Sequence, residues 1–406
     1  MRAIRLHYRP VRYLLTRYVG RRYPAVAWSP LGFIRYEEVE APALPGPDWV
    51  RIETALSGIC GSDISAVSAH DSFTLEPFGA YPFTLGHENV GRVAEVGPEA
   101  AAAGWRVGER VAVNPNLACR QYGIDPVCPA CARGDYGVCR RAGERAAGKG
   151  PLIGYSPATG GGWSRAFVAH ASQLYRLDGL SDEVGVLTDP FASALRPVLL
   201  HPPASDDVVL VIGAGTIGAL TVRALRLTGW SGPIAVVARH GFQRELAERA
   251  GAGPIFGSRD EAYAWAASLP HARAYRPTLA PRFVEGGPSL VFDTVGTARS
   301  LGDALALARE GGRIVLVGAA AKLATDWTRI WYRQLTVSGV YAYGLTPFEG
   351  QRVDSYQPAL ALLHRADLGA LGMLTHTFPL ADYGRALATA LDKRGSRAIK
   401  VAFRPE

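Results

Sequence analysis

The amino-acid sequence predicts a mixed α/β protein, a β-rich module followed by a doubly wound parallel sheet. Residues 49–53, 90–96 and 110–113 alternate apolar and polar side chains in period two between Gly- and Pro-rich turns, the pattern of half-buried strands. From about residue 205 continuous apolar runs alternate with helical segments, and such alternation builds a parallel sheet through right-handed crossovers. A length of 406 residues leaves room for two or three domains at roughly 150 residues each.

In the second region the expected order is strand 208–212, helix 216–228, strand 234–238 and helix 242–250. Strand 289–292, helix 298–308 and strand 313–317 follow. Residues 258–288 contain Pro270, Pro277, Pro281 and Pro288 and are assigned no element. The pattern loosens after about 350 and ends in a strand-like run at 397–403.

Composition narrows the function classes. With 48% hydrophobic and 20% charged residues the chain is globular, not disordered. No apolar run reaches the ~18 residues of a membrane span, and 208–222 is broken by Gly213, Gly215 and Gly218. The net charge of +8 invites a nucleic-acid partner, but the cations are dispersed. The one concentration is the start, where Arg2, Arg5, Arg9, Arg12, Arg17, Arg21 and Arg22 precede any acidic residue. This segment reads as an ordered arm rather than a nucleic-acid contact or a transit peptide. Its Tyr8, Pro10, Tyr13, Tyr18, Tyr23, Pro24 and Trp28 are foreign to Ser-rich targeting segments. Arg17 interrupts the only apolar run a secretory signal could use, so the expected location is cytoplasmic, with neither nucleic acid nor membrane as partner.

Cys60 stands alone, while Cys119, Cys128, Cys131 and Cys139 lie close together. An odd cysteine count argues against a disulfide framework, and the group of four supplies the sulfurs of a tetrahedral structural zinc within residues 115–145. Pro126, Pro129, Gly134 and Gly137 make this segment a loop with little apolar content, so the metal replaces a missing core.

Gly213-Ala214-Gly215-Thr216-Ile217-Gly218 leaves the first strand of the parallel region and opens its first helix. Gly213 permits the turn, Gly215 lets a pyrophosphate approach the backbone, and Gly218 lets helix and strand pack closely. The helix start then offers free N–H groups and a positive dipole end to the phosphates. This is the dinucleotide-binding fingerprint of a Rossmann domain. NAD-binding folds usually place an acid at the end of the second strand, whereas this chain has Arg239-His240. A guanidinium there suits a 2′-phosphate, so NADP(H) is the expected cofactor, with NAD(H) second. Arg239 is the main contact expected, with His240 and Arg244 as helpers. Val295, within 293–296, and Val317, followed by Gly318, end sheet strands where loops border a nucleotide.

Two further segments are Gly58-Ile59-Cys60-Gly61-Ser62-Asp63 and Gly86-His87-Glu88-Asn89-Val90-Gly91, the second continuing to Gly97. Together with the cysteine loop and the glycine motif, in this order along the chain, they resemble the zinc-dependent medium-chain dehydrogenase/reductase family. That family contains alcohol, sorbitol, threonine and glucose dehydrogenases. The resemblance implies a GroES-like catalytic domain over 1–200, joined again by 347–406, around an inserted Rossmann domain at 201–346. It implies that Cys60 and His87 ligate a catalytic Zn2+, with Glu88 beside the metal as an exchangeable ligand and Asp63 orienting His87. Ser62 would hold the substrate hydroxyl and pass on its proton. The polyol and threonine branches take an acid followed by Pro as third ligand, a pattern matched by Asp189-Pro190, with Asp182 and Glu183 as weaker alternatives. By position, Trp163 in Gly161-Gly162-Trp163 would line the substrate cleft, and Lys400 would reach the pyrophosphate. The chain departs from the pattern twice. Ser65 stands where several relatives have a relay histidine, and eight residues, not two, separate Cys119 from Cys128.

The resulting expectation is an NADP-preferring, zinc-dependent oxidoreductase of an alcohol, polyol, sugar or matching carbonyl, as a homo-dimer or homo-tetramer. A zinc-free NADPH-dependent reductase would leave Cys60, His87 and Glu88 unexplained. A non-catalytic zinc protein binding nucleic acid would leave the glycine motif unexplained.

Overall fold

In the computed structural model, which describes residues 1–144, 149–320, 323–366 and 368–406, the chain divides into two units. The first comprises Met1–Asp189, Tyr343–Leu345 and Tyr356–Glu406; the second comprises Pro190–Ala342 and Thr346–Ser355. The first boundary thus falls at Asp189 rather than at residue 200. The helix Thr188–Leu200 opens with Thr188 and Asp189 buried in the first unit. The return is also not a single crossing, because Tyr343–Leu345 joins the first unit before Tyr356 does.

The first unit is built on a seven-stranded sheet whose centre is the ten-residue strand Trp49–Gly58. It pairs antiparallel with Glu88–Val96, Gly58 opposite Glu88, and also with Ala166–His170 and Lys400–Phe403. Trp49, Val50, Ile52 and Leu56 are buried, and Phe167 and Val93 join Trp49, Val50 and Ile52 in one apolar cluster. A second, three-stranded sheet sets Arg2–Leu6 between Ile34–Glu38 and Phe83–Thr84. The basic segment is ordered. Between Leu6 and Ile34 lie the helix Pro10–Val19, started by Pro at its first position, and the 3₁₀ turn Pro24–Trp28.

The second unit carries six parallel strands: Val209–Ile212, Ile234–Val237, Ile255–Phe256, Leu290–Asp293, Arg313–Leu316 and Thr336–Gly339. Numbered in chain order they lie 3-2-1-4-5-6, the Rossmann order, with the reversal between Val209–Ile212 and Leu290–Asp293. In this unit the helices and strands read from periodicity end within two residues of the expected positions; in the first unit the strand read at 49–53 runs on to Gly58, and the last strand starts at Lys400 because Arg397 adopts a φ of 56°. Residues 258–288 do contain structure. The helix Arg259–Ala267 is followed by a hairpin of Arg273–Tyr275 and Phe283–Glu285, with Pro277 and Pro281 in its turn. Among the described residues no helix is long and apolar enough to cross a membrane.

Asp207 anchors the start of this sheet. It accepts from the Ser289 hydroxyl and the Ala204 N–H and pairs with Arg313. Burial alone would raise its carboxyl, but these partners outweigh burial and hold it below the usual carboxylate range. A depressed pKa means that the folded state binds fewer protons than the unfolded one. The stabilisation is therefore complete above the unfolded value of ~3.9 and is lost as pH falls through the folded value. Asp207→Asn is expected to cost about 1–3 kcal/mol at neutral pH. Thermal melts should show the gap to wild type narrowing below pH ~4; a gap that persists undiminished well below that pH would contradict the assignment.

Candidate active site

The register of the central strands assembles a donor set from distant segments. Gly58 faces Glu88, so the residues just beyond these strand ends, Cys60 and His87, meet at one corner of the sheet. Ligand atoms of Cys60, His87 and Glu88 lie within 4.8 Å of one another. Gly58 has to be glycine here, since a Cβ would stand 2.0 Å from Glu88 Oε2. Gly86 has a φ of 99°, and a Cβ there would meet Trp163 at 2.3 Å.

Asp63 is fully buried and organises this corner. Its Oδ2 accepts from the Cys60 N–H at 2.9 Å, and its Oδ1 lies 3.2 Å from His87 Nδ1. A carboxylate at Nδ1 fixes the proton there and leaves Nε2 with its lone pair. Burial alone would lower the His87 pKa, but the Asp63 charge and the Cys60 sulfur reverse this and raise it well above normal. The corner is thus shaped to hold positive charge. Tyr155, which sequence reasoning missed, donates its hydroxyl to the same Asp63 Oδ1 at 3.2 Å. Its ring lies 5.7 Å from the His87 ring. The residue is 92 positions from Asp63, and no local motif announces it.

The four loop cysteines also converge, with all four sulfurs within 4.8 Å of one another and none in a disulfide. Cys119 reaches the others despite its long spacing, accepting the Cys128 N–H at 3.4 Å and lying 3.6 Å from Cys139 Sγ. Burial would raise the Cys128 thiol, but N–H groups of Cys131 and Arg140 outweigh it and bring it down to about 6.

In the second unit Gly213 takes a φ of 98°, and a Cβ on Gly218 would stand 2.0 Å from the Gly213 carbonyl oxygen. A Cβ on Gly215 would meet nothing within 4 Å, so the space before the helix Thr216–Leu227 is open. That helix has neither a side-chain cap nor an acid in its first turn, leaving its start to an anion. Val295 borders the same turn, 2.5 Å from where a Gly213 Cβ would be, and Gly318 after Val317 packs on Gly296. Arg239 is exposed two residues beyond the strand Ile234–Val237. His240 stacks on Phe242 at 5.6 Å, and Arg244 lies beside Gly241 and Gly257.

Comparison with known proteins matches residues 46–179 to the alcohol dehydrogenase GroES-like domain and residues 216–365 to the zinc-binding dehydrogenase domain. The chain belongs to the zinc-dependent medium-chain dehydrogenase/reductase family. It is 28% identical over 392 residues to a "probable zinc-binding alcohol dehydrogenase" of Mycobacterium tuberculosis, covering 94% of this chain and 88% of that protein. It is 24% identical to an L-threonine 3-dehydrogenase of Coxiella burnetii, covering 87% and 92%. The crystal structure of 2R,3R-butanediol dehydrogenase from Bacillus subtilis superposes with a TM-score of 0.72 at 25% identity, over 100% of this chain and 99% of that one. Membership makes the protein a zinc-binding oxidoreductase that works with a nicotinamide cofactor on a small molecule. Both donor sets fit zinc: one of a thiol, an imidazole and a carboxylate, the other of four sulfurs. The open space at Gly215 fits a pyrophosphate.

Three of the family-based residue expectations need correction. Asp189 lies outside the 4.8 Å donor set, where Glu88 takes the carboxylate's place. Its Oδ1 accepts from the hydroxyls of Tyr343 at 2.9 Å and Tyr356 at 2.6 Å, both buried. Burial, with the Glu88 charge, pushes its carboxyl up to about 6 against the pull of His87 and the two hydroxyls. Lys400, expected at a pyrophosphate, is buried with its ammonium on Glu88 and the Ile59 carbonyl. Trp163, expected in a cleft, is core. It is fully buried, lies 4.9 Å from the Phe403 ring and donates to the Gly58 carbonyl at 3.4 Å.

Proposed function

We propose that the protein interconverts an alcohol or polyol and the matching carbonyl with NADP(H), at a catalytic zinc held by Cys60, His87 and Glu88. The observation that carries this is the convergence of those three donors around the buried Asp63. When bound, zinc polarises the substrate oxygen and the nicotinamide exchanges hydride with the substrate carbon. The chain's own residues do the rest. Asp63 locks the His87 tautomer, Lys400 balances the Glu88 charge, and Ser62 holds the substrate hydroxyl and moves its proton. The Tyr343 and Tyr356 hydroxyls keep Asp189 as a carboxylate in reserve, off the metal. Metal analysis of the purified protein, with an NADPH-linked screen of alcohols, polyols, sugars and 3-hydroxy amino acids, tests the reading. Protein without zinc, or without activity on any of these classes, would overturn it.

Arg239 supports the cofactor preference: it is exposed, and its guanidinium has no partner among the described residues. At a near-surface dielectric, opposite unit charges ~4 Å apart attract by about 4 kcal/mol before desolvation. Arg239→Asp is therefore expected to shift the NADP(H)-over-NAD(H) ratio of kcat/KM by roughly a hundredfold or more toward NAD(H). An unchanged ratio in steady-state kinetics would remove the assignment.

A further inference from the structure

The arm between Arg2–Leu6 and Ile34–Glu38 has no part in the dehydrogenase reading, and its charge needs its own account. A cavity of about 510 Å3 opens on it, lined by His7, Arg9, Arg12, Phe33, Arg35 and Glu37. Three arginines thus border one volume. The single carboxylate there, Glu37, is already engaged by Arg5 at 3.3 Å and His7 at 2.8 Å. Arg12 holds only the Gly32 carbonyl at 3.3 Å, and Arg35 only those of Ile34 at 2.7 Å and Pro30 at 3.2 Å. Arg9 has no partner among the described residues. A guanidinium offers five donors, so most of these remain unspent, and among the described residues no acid neutralises the three.

The surroundings deepen the imbalance. Strand register sets Arg35 directly across from Arg5, and like charges at such cross-strand positions repel. Arg9 and Arg12 also stand at the start of the helix Pro10–Val19, whose first turn carries no acid and whose dipole disfavours cations there. Such an arrangement lacks an anion. Guanidinium forks suit the paired oxygens of a phosphate, and the volume is that of a small-metabolite site.

We propose that this cavity binds a small phosphate monoester, its phosphate held by Arg9, Arg12 and Arg35. The proposal is independent of the dehydrogenase reading. The test is a 31P NMR titration of the full chain with glycerol 3-phosphate, at constant ionic strength set with chloride. Saturable binding is expected, weakened at least tenfold in the Arg9→Ala/Arg12→Ala double variant and in Arg35→Ala. Binding should be unchanged in Arg239→Asp, which alters only the nucleotide unit. Should Arg35→Ala fail to fold, the double variant at two exposed positions carries the test, its fold checked by thermal midpoint. Absence of saturable binding, binding that survives the arginine variants, or binding lost in Arg239→Asp would each overturn the proposal. So would steeply salt-dependent binding of an RNA duplex without binding of the ester.

Discussion

Cys60→Ser and His87→Ala are each expected to lower kcat/KM about a thousandfold and to release one of two zinc ions per chain. The size follows from chemistry: a metal polarising the substrate oxygen supplies several kcal/mol, and about 4 kcal/mol is three powers of ten in rate. The donor set comes from two strand ends fixed by the pairing of Gly58 with Glu88, so either loss leaves the sheet intact while the metal goes. Asp63→Asn and Tyr155→Phe act one step further out, through the hydrogen bonds that orient His87. For such partners a loss of roughly 10–100-fold in metal affinity or activity is expected. Competition with a chromophoric chelator checks all four variants. If Cys60→Ser kept both ions and wild-type rates, the catalytic centre would lie elsewhere.

The parts of this site legible in the sequence are those whose chemistry is local. The glycine motif announced itself because Gly213 needs a positive φ and Gly218 has no room for a Cβ. The four cysteines did so because sulfur pairs at short spacing in a Pro- and Gly-rich loop have few other uses. Cys60, Ser62, Asp63, His87 and Glu88 were legible as two short segments, though only strand pairing brings them together. Missed or misplaced were contacts made across the fold. Tyr356 is 167 positions from Asp189, and Lys400 is 312 from Glu88. An acid followed by Pro says nothing of which hydroxyls will take its oxygen. A tryptophan after two glycines says nothing of whether a Phe near the other end of the chain will cover it, as Phe403 covers Trp163.

Cys131→Ser is expected to destabilise the first unit without touching the chemistry. The cluster around residues 118–139 consists of Ala118, Cys119, Cys128, Ala130 and Cys139, flanked by Ile124, Cys131 and Tyr136. Three of the five buried members are cysteines, so sulfur and whatever it binds make up much of the local core. A structural zinc contributes folding free energy outright, because the unfolded chain has no preformed site. Losing one of four ligands belongs with the mutations that cost about 4–5 kcal/mol. At 2–4 °C per kcal/mol for a unit of this size, the midpoint should fall by roughly 10–15 °C. Zinc content should drop from two to one per chain, and limited proteolysis should cut within 119–144. Activity below the new midpoint should persist, since the donor set of Cys60, His87 and Glu88 shares no residue with the four. Cys60→Ser should show the reverse pattern, lost activity with the loop still protected. A Cys131→Ser protein that melts like wild type would mean that the four sulfurs meet without holding a metal.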